Sequence, residues 1–340
     1  MKRQILFFIL IFYCSASFSQ ILKGRVVDEQ NQPLPGANIY FDGTQIATIA
    51  DANGDFTLQY KTQINSTLAI SFIGYQTTYL TTFNEKEPLK IVLKESVNSL
   101  KEVIIKKNRF SRKQMLKLFR EQFLGTSKIA KKAKILNEDD LYFNYDEKNR
   151  ILKVASYQPL VIDNVALDYT LTYELVDFYA KFLNLSISSA EVYESFYLGT
   201  SRFEEVKTND KINKKRKESY LGSQLHFFRN LATNQWNKEN FLLFVGAYQD
   251  NPENHFQVTK ENDFIKVKVK KQQKPLSINN LVAEFNVLYD KKKQSRITFL
   301  TDTFYIDQMG NNSHIESILF SGAISKQKVA DLVPLNFKVD

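Results

Sequence analysis

From Gly24 to Ile105 the chain meets a turn signal every few residues, which leaves no room for a helix. Leu22 to Val27 reads as a strand and then runs into Asp28-Glu29-Gln30-Asn31-Gln32-Pro33. Pro33 and Pro35 fix φ and carry no backbone donor, so the strand ends there. Gly36 opens the next strand, Ala37 to Phe41, and Asp42-Gly43 closes it with a tight-turn dipeptide. Gln45 to Ala50 is strand-like, and Asp51-Ala52-Asn53-Gly54 turns the chain again. Phe56 and Leu58 share one face, as do Leu68, Ile70 and Phe72, with Gly74 marking a bend before Tyr75. Leu89, Ile91 and Leu93 supply a late strand and Val103 to Ile105 a last one. Seven or eight short strands with frequent turns predict a two-sheet sandwich.

The turn residues also form a pattern. Gly24, Asp28, Pro33 to Ala37, Gly43-Thr44, Asp51, Gly54, Phe56, Ser71, Gly74-Tyr75, Leu100, Glu102 and Val103 fall at matching positions of G-x-V-x-D, P-L-P-G-A, G-T, T-D-x-x-G-x-F, S-x-x-G-Y and L-x-E-V. In this the block resembles the carboxypeptidase-like regulatory domain, a transthyretin-like (prealbumin-like) sandwich common at the N-termini of secreted Bacteroidetes proteins. Ala47 and Ala50 stand where the family more often has Gly and Thr, which touches turn detail rather than fold. The resemblance implies a scaffold, not a peptidase. Zinc carboxypeptidases need His-x-x-Glu and a distant His, whereas the three histidines open HFFR, HFQV and HIES at His226, His255 and His314. Asp51-Ala52-Asn53-Gly54-Asp55 begins like a calcium loop. An EF-hand would need Gly and Glu where Phe56 and Thr62 stand, so a hairpin turn is the expectation.

Met1 to Gln20 reads as an export signal: Lys2 and Arg3, a short apolar run from Ile5 to Tyr13, and Ser17-Phe18-Ser19 before a cut between Ser19 and Gln20. The run is shorter than the roughly 20 residues of a membrane span. Cys14 suggests a lipid-modified cysteine, but Phe12 and Tyr13 precede it instead of small residues. With Cys14 removed, the remaining chain has no disulfide, thiol nucleophile or thiolate metal site. An exported product is the expectation, in the periplasm or at the outer membrane or cell surface.

The 340 residues carry a formal charge of +9, and 12 Lys or Arg stand between Lys101 and Lys134 against Glu102 and Glu121 alone. Ser111 caps a predicted helix over 112–124 that Gly125 stops. Met115, Leu116, Phe119 and Phe123 form its apolar stripe, with Lys113, Lys117 and Arg120 on another face. A solvated face is the ordinary fate of such a run. The sharper alternative is contact with anionic envelope polymers or lipid headgroups through Lys113, Lys117, Arg120, Lys131 and Lys132. Nucleic acid is excluded as a partner by export and by the interleaved apolar residues. Lys214 to Lys217 reads as a second, solvated loop.

From Asp140 onward β-branched and aromatic residues dominate, as in the alternation Tyr169-Thr170-Leu171-Thr172-Tyr173-Glu174-Leu175. Strands are expected over 141–145, 151–157, 160–162, 166–179, 191–197, 203–206, 264–269, 281–289, 296–305 and 315–324, and one helix over 217–232 with Leu221, Leu225, Phe228 and Ala232 inward. Asn137 to Phe178 and Gly322 to Phe337 resemble an uncharacterised Bacteroidetes region that follows the sandwich. In longer relatives that region leads into an outer-membrane barrel, but here the last residues are Lys338-Val339-Asp340 without a terminal aromatic. The expected fold is mainly β: the sandwich (20–106), a basic linker helix (107–136), then a β-rich α+β domain with one or two helices (137–340), all after a signal over 1–19.

Catalysis has little to stand on. Arg216, Glu218, Ser219, Tyr220, His226 and Arg229 cluster on or beside the expected helix, but a Ser-His pair also needs an orienting acid and an oxyanion hole. No nucleophile elbow, phosphate loop or dinucleotide fingerprint occurs. Glu138-Asp139-Asp140 and Glu204-Glu205 read as solvated loops. The residues predict no cofactor and no metal. The expected function is a non-catalytic envelope protein whose sandwich supports a domain that binds a partner protein or envelope polysaccharide. The alternatives are an accessory hydrolase of glycan or peptidoglycan, favoured by acids paired across a deep cleft, and an assembly partner of an outer-membrane barrel protein.

Overall fold

The computed structural model describes residues 20–60, 66–84, 87–96, 109–236, 240–272 and 281–339. The export signal with Cys14 and Ser19, and the expected last sandwich strand Val103 to Ile105, lie outside them; Gln20 is the first described residue.

Seven strands build the N-terminal unit: β1 (Gln20–Val27), β2 (Asn38–Phe41), β3 (Ala47–Ile49), β4 (Asp55–Tyr60), β5 (Leu68–Ser71), β6 (Thr78–Leu80) and β7 (Leu89–Val92). They form two sheets, β4-β1-β7 and β3-β2-β5-β6, with β1 antiparallel to β4 and parallel to β7. Leu22, Val26, Phe56, Leu58 and Ile91 of one sheet meet Ile39, Phe41, Leu68 and Ile70 of the other in a closed core, as alternation requires. The turns close locally. The Asp51 carboxylate accepts from the amides of Asn53 (2.8 Å) and Asp55 (2.9 Å), so it serves the hairpin.

The basic helix α1 (Arg112–Phe123) has the expected cap, with Ser111 and Gln114 bonding each other's backbone. It buries Met115, Leu118, Phe119 and Phe123 against a six-stranded sheet, with Leu116 partly covered. That sheet comprises β8 (Ala133–Ile135), β9 (Leu141–Asp146), β10 (Ile151–Ser156), β11 (Leu160–Asn164), β12 (Tyr169–Phe182) and β13 (Val192–Glu205), in the order β8-β11-β12-β10-β9 with β13 on the other side of β12. Phe119 packs edge-on to Phe178 at 4.8 Å between ring centroids. The helix read as a linker thus belongs to a core. The two strands expected over 191–197 and 203–206 are one, because β13 pairs with β12 along its length and absorbs the irregularity near Leu175 as a register shift.

Two helices, α2 (Asp210–Tyr220) and α3 (Gln224–Thr233), replace the single expected one. The chain turns at Leu221 to Ser223, and Ser223 restarts it as a cap by accepting from the His226 amide. Ser219 therefore ends α2 rather than beginning a helix. The expected loop at Lys214 to Lys217 is also helical, with Arg216 only 2 % exposed. The last strands are β14 (Phe241–Val245), β15 (Tyr248–Gln249), β16 (Phe256–Glu261), β17 (Phe264–Val269), β18 (Ala283–Tyr289), β19 (Lys293–Phe299), β20 (Thr303–Ile306) and β21 (Ile318–Gly322). They make sheets β15-β14-β18-β19-β21 and β16-β17-β20, which share a core with Phe227, Phe228 and Leu231 of α3. The strand expected over 296–305 breaks at Leu300 to Asp302, where the Asp302 carbonyl accepts from Val269 and the chain changes sheet. A short helix, α4 (Ala323–Lys326), follows β21.

Candidate binding site

The β2–β3 turn carries the sandwich onto the rest of the chain. Gly43 donates to the Ser201 carbonyl at 2.7 Å, Phe203 donates to the Thr44 carbonyl at 3.0 Å, and the Ser201 amide donates to Asp42 Oδ1 at 2.6 Å. Arg202 adds a bond to Asn38 (2.8 Å), and Tyr40 shares one with Thr200 (3.1 Å). Gly43 sits at φ +71, and a Cβ there would stand 2.5 Å from Leu335 Cδ1, so both its backbone and the fit demand glycine. Burial pushes the Asp42 carboxyl up to about 6, against the downward pull of the Ser201 and Gly43 amides. Burial also raises Glu174, which the Thr77 and Tyr79 hydroxyls of the sandwich approach.

Beside this joint lies a cavity of about 700 Å³, within the usual range of ligand pockets. One wall is α3, whose His226, Arg229, Asn230 and Thr233 recur at helical spacing on one side. The other is the C-terminal segment from Leu335 to Val339, with Gln308 and Met309 beside it. Arg229 holds these walls together: Nε donates to the Met309 carbonyl (2.9 Å), Nη1 to Phe337 (2.9 Å) and Nη2 to Leu335 (2.5 Å). The same wall reaches the sandwich. Leu335 donates to the Gly43 carbonyl at 2.7 Å, and Met309 is part of the sandwich core.

Two electrostatic features mark the cavity. No Asp or Glu lines it among the described residues, while Arg229 and Lys338 do, so its cations face no acid across it. Three of the five guanidinium donors of Arg229 are spent on carbonyls, which are neutral. Asn230 is 1 % exposed, and neither Nδ2 nor Oδ1 has a partner among the described residues. The result does not depend on which atom is oxygen, since both lack one. An unpaired buried amide costs about 1–3 kcal/mol. The sequence signal for it is a mid-helix asparagine, a poor helix former, inside the apolar run HFFRNLA.

Of the residues considered for catalysis, Tyr220, His226 and Arg229 line the cavity, while Arg216 and Ser219 are engaged away from it. The Ser219 hydroxyl donates to the Asp331 carbonyl at 2.6 Å, and His226 Nδ1 accepts the Gly222 amide at 3.0 Å. Neutral His226 therefore carries its proton on Nε2. Arg216 bonds Glu205 and the carbonyls of Leu167, Asp168 and Lys207, and stacks over Tyr169 at 3.9 Å. The acids expected in solvated loops lie instead in a 3-10 turn, Glu138 to Asp140, and at the end of β13: Glu138 binds Arg120, Asp140 accepts from Asn137, Glu204 binds Arg202 and Glu205 binds Arg216. On the basic helix Lys113 is exposed and Lys117 lies 4.0 Å from Glu121, while Lys131 and Lys132 are exposed on a 3-10 turn. Arg120 of that face is thus committed to an acid of its own chain. Among the described residues no three of His, Cys, Asp and Glu gather as metal ligands, and no helix is long and apolar enough to cross a membrane.

Comparison with known proteins adds to this geometry. The TonB-dependent receptor SusC of Bacteroides thetaiotaomicron is 34 % identical over 97 residues, which cover 28 % of this chain and 9 % of that receptor. Residues 22–105 match the model of the CarboxypepD_reg-like domain family. The sandwich that docks through Asp42 to Thr44 is therefore a CarboxypepD_reg-like domain, the part of this chain shared with that receptor.

Proposed function

We propose that this chain is a non-catalytic protein of the cell envelope, in which the sandwich is the scaffold for a C-terminal body that binds a partner protein or envelope polymer. The observation that carries this reading is the shared wall. Leu335 lines the cavity and also bonds Gly43 of the sandwich, so a ligand held there is coupled to that scaffold. The cavity is lined by α3, the C-terminal segment and their neighbours, none of them in the sandwich, which is reached through Leu335 and Met309. The hydrolase reading calls for two carboxyls flanking a scissile bond, and the described cavity lining supplies none. Kinship of the sandwich with part of a TonB-dependent receptor makes an outer-membrane protein the first partner to look for.

The test is affinity purification of the tagged protein from its native envelope, with partners identified by mass spectrometry, beside turnover assays on glycan and peptidoglycan panels. A reproducible envelope partner with no turnover is expected. Turnover of a panel member with no reproducible partner overturns the reading.

A further inference from the structure

We propose that one end of the six-stranded sheet docks on an anionic lipid surface. The inference is independent of the cavity and says where the C-terminal body sits. The end is marked by a row of paired residues, Ala133, Asn164, Tyr169 and Glu205, where β8, β11, β12 and β13 begin or finish. Past that row come the 3-10 turn Ala130–Lys132, the turn from Val165 to Asp168, and the link from Val206 into α2. Side-chain bonds pin α2 across them. Lys215 donates to the Ala166 carbonyl at 3.3 Å, and Arg216 donates to those of Leu167, Asp168 and Lys207. Two lysine runs far apart in the chain are thereby brought to one end of the sheet.

The charge at this end is one-sided. Lys128, Lys131 and Lys132 are exposed before β8, and Lys207, Lys211 and Lys214 after β13, with Lys215 half-buried beside them. No ion pair joins any of them to an acid among the described residues. Glu205 is taken by Arg216, which leaves Asp168, Asp210 and, at the far end of α2, Glu218 as the acids beyond the row. Lysine is a compact, hydrated point charge, which suits a field of headgroups better than one planar anion. A soluble polyanion would account for the charge alone. Val165 and Val206 decide for a membrane, because they are 56 % and 55 % exposed among these lysines. Their loops adjoin, since the Val206 amide donates to the Asp168 carbonyl at 3.1 Å. Apolar side chains at such a tip gain from the boundary of headgroups and acyl chains and gain nothing from a hydrated polymer.

Vesicle co-sedimentation of the full protein tests this with pure phosphatidylcholine and with a two-to-one mixture of phosphatidylcholine and phosphatidylglycerol, at low and high salt. Preference for the anionic vesicles is expected, and salt is expected to weaken it by screening exposed charges. The triple variant Lys131→Glu, Lys132→Glu, Lys214→Glu is expected to bind about hundredfold or more weakly, at about fivefold for each lysine near an anionic surface. The double variant Val165→Ser, Val206→Ser keeps every charge and is expected to bind about tenfold more weakly. All five side chains are exposed, so neither variant is expected to shift the melting temperature. Both keep the same N-terminal segment, so a difference from the parent belongs to the substituted residues. Equal binding to neutral and anionic vesicles, or binding to neither, overturns the proposal, as does unchanged affinity in the lysine variant. An unchanged valine variant overturns the membrane assignment, and its capture on dextran sulfate then identifies a soluble polyanion as the occupant. None of these failures touches the partner sought by affinity purification, which judges the binding reading separately.

Discussion

In the sandwich, Asp28 and Asp51 hold backbone amides two and four residues away. Around α2 and α3, Arg216 reaches a carbonyl 49 residues away, Ser219 one at 112, and Arg229 three at 80 to 108. Both regions satisfy the same rule, that buried or turning backbone must find partners. They differ in where the partners come from. A turn that closes on itself forms as soon as its few residues do. A guanidinium that gathers distant carbonyls is satisfied only when the whole unit is assembled. The sandwich turns are closed by local bonds, whereas the second region adds to its apolar cores side-chain bonds that span much of the chain.

The widest test of that contrast is to cut one long-range clasp. Arg216→Met leaves the carbonyls of Leu167, Asp168 and Lys207 without their donor, and is expected to cost about 3–5 kcal/mol in urea unfolding. A loss under about 1 kcal/mol would show that these carbonyls find water and that the clasp is incidental.

Backbone strain should be the largest vulnerability of the sandwich. Gly54 sits at φ +77, and a Cβ there would stand 2.5 Å from the Val26 carbonyl oxygen. Gly54→Ala is expected to cost about 2–3 kcal/mol and to lower the unfolding transition of the sandwich. Circular dichroism on heating reads it, and an unchanged midpoint would refute a strained turn.

The joint between the two regions should respond to pH. Burial disfavours the charge of Asp42 and pushes its carboxyl up to about 6 from an ordinary 3.8. A raised carboxyl contributes stability that is complete below the ordinary value and is lost as pH rises through the folded one. The joint should therefore hold better at pH 4 than at pH 8. Asp42→Asn keeps an acceptor for the Ser201 amide and is expected to gain about 1–2 kcal/mol at pH 8 and less than about 1 kcal/mol at pH 4. Unfolding curves of both proteins at the two pH values would expose a flat response in the parent, which contradicts the burial of this carboxyl.

The smallest effect belongs to the basic helix. Lys113 is exposed, so Lys113→Ala is expected to change stability by less than about 0.5 kcal/mol. A larger loss in thermal unfolding would mean that the face makes contacts its exposure does not suggest.

The sandwich was legible because its information is local. Pro33 and Pro35 stop one strand, Asp42-Gly43 turns the next, and alternation orients Phe56, Leu58, Leu68 and Ile70. The capped basic helix was legible for the same reason, although its core position was not. Arg229 and Asn230 look from the sequence like polar interruptions of an apolar helix. The cavity they line exists only because the C-terminal segment returns from more than 100 residues away.

By itself, the sequence determined the strands and turns of the CarboxypepD_reg-like domain, the cap of α1 and the alternation of the later sheets, since each follows from the φ limits, donors and side-chain period of neighbouring residues. Tertiary structure decided that Asp42-Gly43 is a docking point as well as a turn, that α2 and α3 are separate, and that Arg229 closes a cavity against Leu335 and Phe337. Those outcomes depend on hydrogen bonds and burial between segments far apart in the chain, which no local window of sequence contains.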